Sequence, residues 1–255
     1  NGGRMKNADV IVIGGGLAGL TMTSLLGVRG INVICIDREN PSDTLHENFD
    51  GRTTAISFGS SKVMAAAGVW DDIVADSCPI ETIRIMDGNS PALLEFSSSE
   101  VGGDIFGWIA ENHLMRRALY RKIATIKNAS CVAPATVADF AVDDRLGHVI
   151  LADGKRYSAP LIIGADGRRS FTREWMGIGT RDWSYRQRAI VFTALHEHPH
   201  HNIAVENFRP EGPFAILPLK ADQDGNHRSS VVWPEHSTAR RSAIHSSQAS
   251  FAAPL

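Results

Sequence analysis

The chain has 255 residues, 43% of them apolar and 21% charged, with a formal net charge of −2 at pH 7. These values describe a globular protein with enough chain for one large domain or two small ones around a real core. Without a basic stripe there is no footprint for nucleic acid, so any bound phosphate must be met by local loops and helix ends.

Cys35, Cys78 and Cys131 are odd in number, widely spaced and form no Cys-x-x-Cys pair. A structural zinc site or disulfide framework is therefore not expected, and the cytoplasm is the natural compartment. No stretch approaches the ~18 apolar residues of a membrane-spanning helix. Asn1-Gly2-Gly3-Arg4, ahead of Met5, reads as an added extension and not as a signal peptide.

Asp9 to Ile13 is a short β-branched run suited to a buried parallel strand. A glycine turn follows, then a helix from about Leu17 to Val28 that Gly30 ends, then a strand over Ile31 to Ile36 in which Cys35 is buried. Strand, helix and strand within ~30 residues make a βαβ unit. Residues 40 to 53 are polar and turn-rich, which predicts a surface excursion. Helical patterns return at Ser60 to Ala67 and Asn112 to Ile126. Between them, Ile80 to Phe96 alternates like strands around a turn at Asp87-Gly88-Asn89. Short strands are predicted at Ala135 to Val142, His148 to Leu151 and Tyr157 to Ile163, separated by Asp143-Asp144 and Asp153-Gly154. Beyond Trp183 the pattern is β again, over Arg188 to Leu195, Asn202 to Phe208, Pro213 to Leu217 and Ser229 to Trp233. The Ser-, Ala- and His-rich tail could begin a helix.

Ile13-Gly14-Gly15-Gly16-Leu17-Ala18-Gly19 places G-x-G-x-x-G between a strand and a helix. The first glycine permits the tight turn, the second lets backbone approach a pyrophosphate, and the third lets helix pack on strand. Asp37, at the end of the second strand, can accept from ribose hydroxyls. On this motif alone the dinucleotide is NAD or FAD. A second apolar strand, Leu161-Ile162-Ile163, runs into Gly164-Ala165-Asp166-Gly167 and then Ser170 and Arg173. Such a turn presents backbone N–H groups and a carboxylate at a strand's carboxyl end.

G-A-D-G-x-x-S-x-x-R resembles the motif of the flavoprotein aromatic hydroxylases, the group that includes para-hydroxybenzoate hydroxylase. Further segments resemble the ubiquinone-biosynthesis hydroxylases within it. They are Asp50-Gly51-Arg52-Thr53-Thr54-Ala55-Ile56, Gly107 to Asn112 with Leu114 and Leu119, and Tyr185-Arg186-Gln187-Arg188-Ala189. Ala204-Val205-Glu206-Asn207-Phe208 through Gly212 to Leu219, and Val231-Val232-Trp233, complete the set. The likeness spans about Ala8 to Trp233. It implies an α/β fold, a Rossmann-like doubly wound FAD-binding domain with an inserted β-rich substrate domain. The implied division is 5–79 and 111–182 for FAD, 80–110 and 183–236 for substrate, and 237–255 as the start of a return segment. FAD would be held by Gly14, Gly16, Leu17, Ala18, Gly19, Asp37, Arg38, Arg52, Asn112, Asp166, Gly167, Ser170 and Arg173. The family's third motif, Gly-Asp-Ala-Ala-His, does not occur, and the chain is expected to stop before it.

The implied reaction is hydroxylation of a phenolic ring with FAD, NAD(P)H and dioxygen, on a polyprenylated phenol of ubiquinone biosynthesis. Such a substrate would bring the enzyme to the inner-membrane surface as a peripheral protein, although no amphipathic segment stands out. The cofactor carries the difficult chemistry, so no catalytic acid or base is assigned. Two other readings stay open: another flavin or nicotinamide oxidoreductase on this scaffold, such as a halogenase or reductase, and an FAD-binding fragment inert by itself.

Other groups carry less. His196-Glu197-His198-Pro199-His200-His201 is proline-broken and reads as a solvated loop before it reads as a metal site. Ser170 has no nucleophile-elbow context. Trp175, Trp183 and Trp233 are core fillers or the lining of an aromatic pocket. Arg168 and Arg169 are surface cations or partners of NADPH phosphates.

Overall fold

The computed structural model describes residues 6–45, 51–88, 90–100, 102–185 and 187–236. Residues 1–5, Asp50, Asn89, Arg186 and the tail 237–255, all read above from sequence, lie outside the described residues. The first half comprises β1 (Lys6–Asn7), β2 (Val10–Ile13), α1 (Leu17–Val28), β3 (Val33–Ile36), α2 (Pro41–Thr44), β4 (Thr53–Ser57), α3 (Phe58–Ala66), α4 (Trp70–Val74), β5 (Cys78–Ile80), β6 (Thr82–Asp87), β7 (Leu93–Ser97), β8 (Gly107–Glu111) and α5 (Asn112–Thr125). The second half comprises β9 (Ala129–Val132), β10 (Val137–Val142), β11 (Gly147–Leu151), β12 (Arg156–Ala159), β13 (Leu161–Gly164), α6 (Phe171–Trp175), β14 (Gln187–His196), β15 (Ile203–Arg209), β16 (Gly212–Leu219) and β17 (His227–His236).

A parallel sheet in the order β13-β2-β3-β9 forms the centre. β2 and β3 are buried along their whole length, which explains why their sequence is continuous apolar and not alternating. Alternate side chains go to opposite layers. Val10, Val12 and Val33 meet Met22 and Leu26 of α1, and Cys35 joins Leu20 with Met115 and Leu119 of α5. Ile11, Ile13, Ile34 and Ile36 pack on Phe140, Val149, Leu151 and Tyr157. One face of the parallel sheet is thus covered by helices and the other by the sheet β1-β12-β11-β10. Each fully buried side chain here, such as Ile11, contributes about 1.5–3 kcal/mol of transfer free energy.

The run Tyr157 to Ile163 is not one strand. It divides at Pro160 into β12, which pairs with β11, and β13, which pairs with β2. Proline lacks the N–H a continuing ladder needs, so the chain changes sheet there. The strands β4, β8 and β5, in a three-stranded sheet of their own, were not foreseen from the sequence, nor was β9.

The remaining strands form a six-stranded sheet, β14-β17-β16-β15-β6-β7. It joins segments distant in sequence, because β15 pairs parallel with β6. Its inner face meets the rest through Ala204 and Leu219 packed on Ile80 and Ile109. Two polar links reinforce that contact: Thr53 Oγ1 donates to Ser230 Oγ at 2.9 Å, and Arg228 forms a bidentate pair with Glu111 at 3.3 and 3.0 Å.

Candidate functional site

β2 and β13 lie side by side in parallel, with Ile13 opposite Gly164, so the two motif turns leave the sheet at the same level. The Ala165 N–H donates to the Ile13 carbonyl at 2.7 Å. Gly14, at φ +108°, has no room for a side chain: a Cβ would sit 2.3 Å from the Ala165 oxygen. At Gly19 a Cβ would lie 1.8 Å from the Gly14 oxygen, so helix and loop touch backbone to backbone. Gly16 differs. A Cβ there meets nothing within 4 Å, and the residue caps α1 without any side-chain acceptor. The first N–H groups of a helix have no partner within it, so the Gly16-Leu17-Ala18 end of α1 offers donors and positive dipole to an open space.

Asp37, at the end of β3, holds this loop. One carboxylate oxygen accepts from the Gly15 N–H, and the other accepts from the Glu39 N–H at 2.6 Å. A side chain on Gly15 would collide with Asp37 at 2.8 Å. Gly15 is thus a site residue that sequence reasoning missed, although the unbroken Gly14-Gly15-Gly16 run was its signal. A carboxylate has about four acceptor positions, so Asp37 keeps capacity for ligand hydroxyls. Arg38 follows it on the surface. Behind the loop, the Cys35 thiol contacts the Gly14 carbonyl at 3.7 Å and lies opposite Cys131 on β9.

The Asp166 turn is organised inward. Ser170 Oγ donates to one oxygen of Asp166, and the Thr172 N–H and hydroxyl donate to the other at 2.9 and 3.0 Å. Burial works against the Asp166 carboxylate, but these three donors outweigh it and hold the carboxyl below its ordinary range. Ser170 also caps α6 by accepting from the Arg173 N–H at 3.0 Å. Gly167 takes the left-handed conformation at φ +79° and stays exposed. The Arg173 guanidinium donates to the Arg168 carbonyl at 2.9 Å. Thr172 is the second missed residue, since a threonine beside a motif carries no signal by itself.

Arg52 and Asn112 come together at the paired ends of β4 and β8, where the Asn112 N–H donates to the Arg52 carbonyl at 3.0 Å. Thr54 Oγ1 donates to Asn112 Oδ1 at 2.6 Å. A groove of about 310 Å³ runs from Leu17 and Ala18 at the head of α1 to Met115 and to Thr54, the hydrogen-bond partner of Asn112. The Glu111–Arg228 pair next to Asn112 was missed because its partners are far apart in sequence.

The tryptophans are not gathered into one wall. Trp175 donates to Asp139 and packs on Phe140, Trp233 meets Phe214, and Trp183 is 70% exposed beside Tyr185. In the histidine run, both ring nitrogens of His196 and of His200 are engaged with neighbouring protein groups. The described residues include no cluster of metal-ligating side chains.

A family model described as FAD binding domain matches residues 7–253. The chain is 42% identical over 232 residues to ubiquinone hydroxylase UbiL of Rhodospirillum rubrum, covering 91% of this chain and 53% of that protein. It is 31% identical over 250 residues to the mitochondrial ubiquinone biosynthesis monooxygenase COQ6 of Xenopus tropicalis, covering 90% and 52%. The chain therefore spans about half the length of the curated relatives it matches. Among solved structures it is similar to PqsL, a probable FAD-dependent monooxygenase from Pseudomonas aeruginosa, with a TM-score of 0.78. That likeness covers 92% of this chain and 62% of the other at 18% identity, and it is a likeness of fold.

Proposed function

Because this chain belongs to the FAD binding domain family, we propose that it forms the FAD-holding and substrate-facing part of a flavin-dependent hydroxylase of phenolic rings in ubiquinone biosynthesis. The observation that carries the reading is the meeting of two turns, Gly14–Gly19 and Ala165–Gly167, at the ends of neighbouring parallel strands. Relatives named as a ubiquinone hydroxylase and a ubiquinone biosynthesis monooxygenase support the substrate class.

The fit to FAD rests on the free space at Gly16 and the uncapped head of α1. Gly14, Gly16, Leu17, Ala18 and Gly19 would hold the pyrophosphate, with Asp37 and Arg38 at the adenosine ribose. Arg52 and Asn112 would lie on the flavin side, and Asp166, Gly167, Ser170 and Arg173 would close the second turn. FAD held by these residues would supply, with NAD(P)H as reductant, the activation of dioxygen needed to transfer one oxygen atom to an electron-rich ring. The chain's task is to bind, orient and keep water out. In this reading 5–79 and 111–182 would make up the FAD part and 80–110 with 183–236 the substrate part, whose wall would be the six-stranded sheet of β6, β7 and β14 to β17.

Among the described residues no helix is long and apolar enough to cross a membrane. A polyprenylated substrate would then be met at a bilayer surface by peripheral contact.

The test is a yellow protein with a flavin spectrum whose NAD(P)H oxidation is stimulated by a phenol. Gly16→Val separates site from fold: with open space around the position and an ordinary φ of −70°, the variant keeps its structure and loses FAD. A folded Gly16→Val protein with undiminished flavin affinity would refute the placement.

A further inference from the structure

Directly opposed residues of neighbouring strands point to one face of a sheet. Ala204 and Leu219 face the rest of the molecule, so the registers place Ile83, Ile85, Glu206, Ala215, Leu217, Ser230 and Val232 on that same inner face. Among the described residues the polar positions of this face include Ser230, tied to Thr53, Arg228, tied to Glu111, Thr193 opposite Ser230, and Asp87 opposite Phe208 at the end of β6. Glu206 is another, with apolar residues on both flanking strands. It sits half-buried between Ile85 on β6 and Ala215 on β16.

No charge and no hydrogen bond among the described residues acts on the Glu206 carboxyl; burial alone acts, and it pushes the group upward. A half-buried carboxyl without a partner costs stability, and such a group facing a cleft is a candidate for a role outside the folded core. Its position supplies one. Ser230 is anchored to the residue after Arg52, and Val232, two residues on, pairs with Ala215, which pairs with Glu206. The carboxyl therefore projects from the wall that stands beside the Arg52–Asn112 corner.

We propose that Glu206 is the group that accepts the hydrogen bond of the substrate's ring hydroxyl. The inference rests on the hydroxylase reading above and adds to it the residue that recognises the phenol. A phenol donates to a carboxylate in a short, charge-assisted O–H···O bond, and a less hydrated carboxylate is the better acceptor. No bond to carbon forms or breaks in this step. The hydroxyl proton is shared toward Glu206, and the ring oxygen gains electron density, which activates the carbons ortho and para to it toward an electrophilic oxygen. The apolar neighbours Ile85, Ala215 and Val232 suit the ring itself.

The experiment compares Glu206→Gln with the intact wild-type protein. The substitution keeps shape and removes the negative acceptor. FAD content and its spectrum are expected to stay as in wild type, while kcat for phenol hydroxylation falls by about 100-fold, within the usual range for acid–base groups. The acid limb of the kcat/KM profile, set in wild type by the raised carboxyl, is expected to disappear. The other charges here, Arg228 with its β8 partner Glu111 and Asp87 at the end of β6, are all unchanged in the variant, so a limb that disappears belongs to Glu206. Glu206→Asp is expected to restore part of the rate. An unchanged rate and pH profile in Glu206→Gln, beside an active wild type, would overturn the assignment of Glu206 alone. A wild type that binds no FAD or hydroxylates no phenol would overturn the reading on which it rests.

Discussion

The Gly14–Gly19 loop and the Asp166 turn leave adjacent strands at the same level, yet they use their polar groups in opposite ways. The glycine loop directs its capacity outward, with bare backbone at Gly16 and an uncapped helix end. The Asp166 turn directs its capacity inward, with both carboxylate oxygens engaged by Ser170 and Thr172. In the first, absence of side chains makes room for a ligand. In the second, side-chain hydrogen bonds make the turn rigid, and in the proposed reading that turn would be the wall against which the ligand rests.

If this contrast is right, changes in the loop should divide sharply between folding and binding, whereas changes in the turn should affect mainly stability. The largest effect is expected at Gly19→Ala. Its methyl would enter the Gly14 carbonyl, and overpacking against backbone should cost about 3 kcal/mol, read as a lower denaturation midpoint. Gly16→Val should leave that midpoint in place and weaken FAD on the order of 100-fold, about 2.7 kcal/mol, in a fluorescence titration.

Asp166→Asn comes next, at about 2 kcal/mol of stability, because an amide cannot replace a carboxylate that accepts three bonds. Its pH dependence follows from the lowered carboxyl. The contribution is complete above the ordinary aspartate value of ~3.9 and is lost as pH falls below it through the folded value. The stability gap between wild type and Asp166→Asn should therefore close in acid, as urea titrations at stepped pH would show. The smallest effect is expected for Ser170→Ala, which removes one cap of a short helix and should cost about 1 kcal/mol with little change in FAD affinity. A large loss of FAD in Ser170→Ala would break the contrast, since it would make the turn a direct ligand.

What was legible in the sequence was what depends on near neighbours. Helix α1 begins and ends where the glycine turn and Gly30 place it, and Asp37 stands at the end of β3 as expected. Long-range pairing was not legible. Pro160 lies inside a run that reads as one strand, and only the two different sheets on either side reveal the break. The bond between Asp37 and the Gly15 N–H spans a full βαβ unit. The Arg228–Glu111 pair and the face that carries Glu206 depend on strand registers that no local pattern encodes. Glu206 stood in view within the Ala204 to Phe208 segment, but its isolation among apolar neighbours appears only once β6 and β16 flank it.

The Asp37 clamp on Gly15 has a consequence for how a ligand is captured. The loop is tied to β3 by the protein's own carboxylate, so its conformational entropy is lost on folding and not on binding. A diphosphate then meets a cradle already in shape, and association should be limited by encounter in place of loop closure. The same clamp sets a limit: any change that lifts Asp37 from Gly15 should loosen the cradle and the proposed ribose contact together.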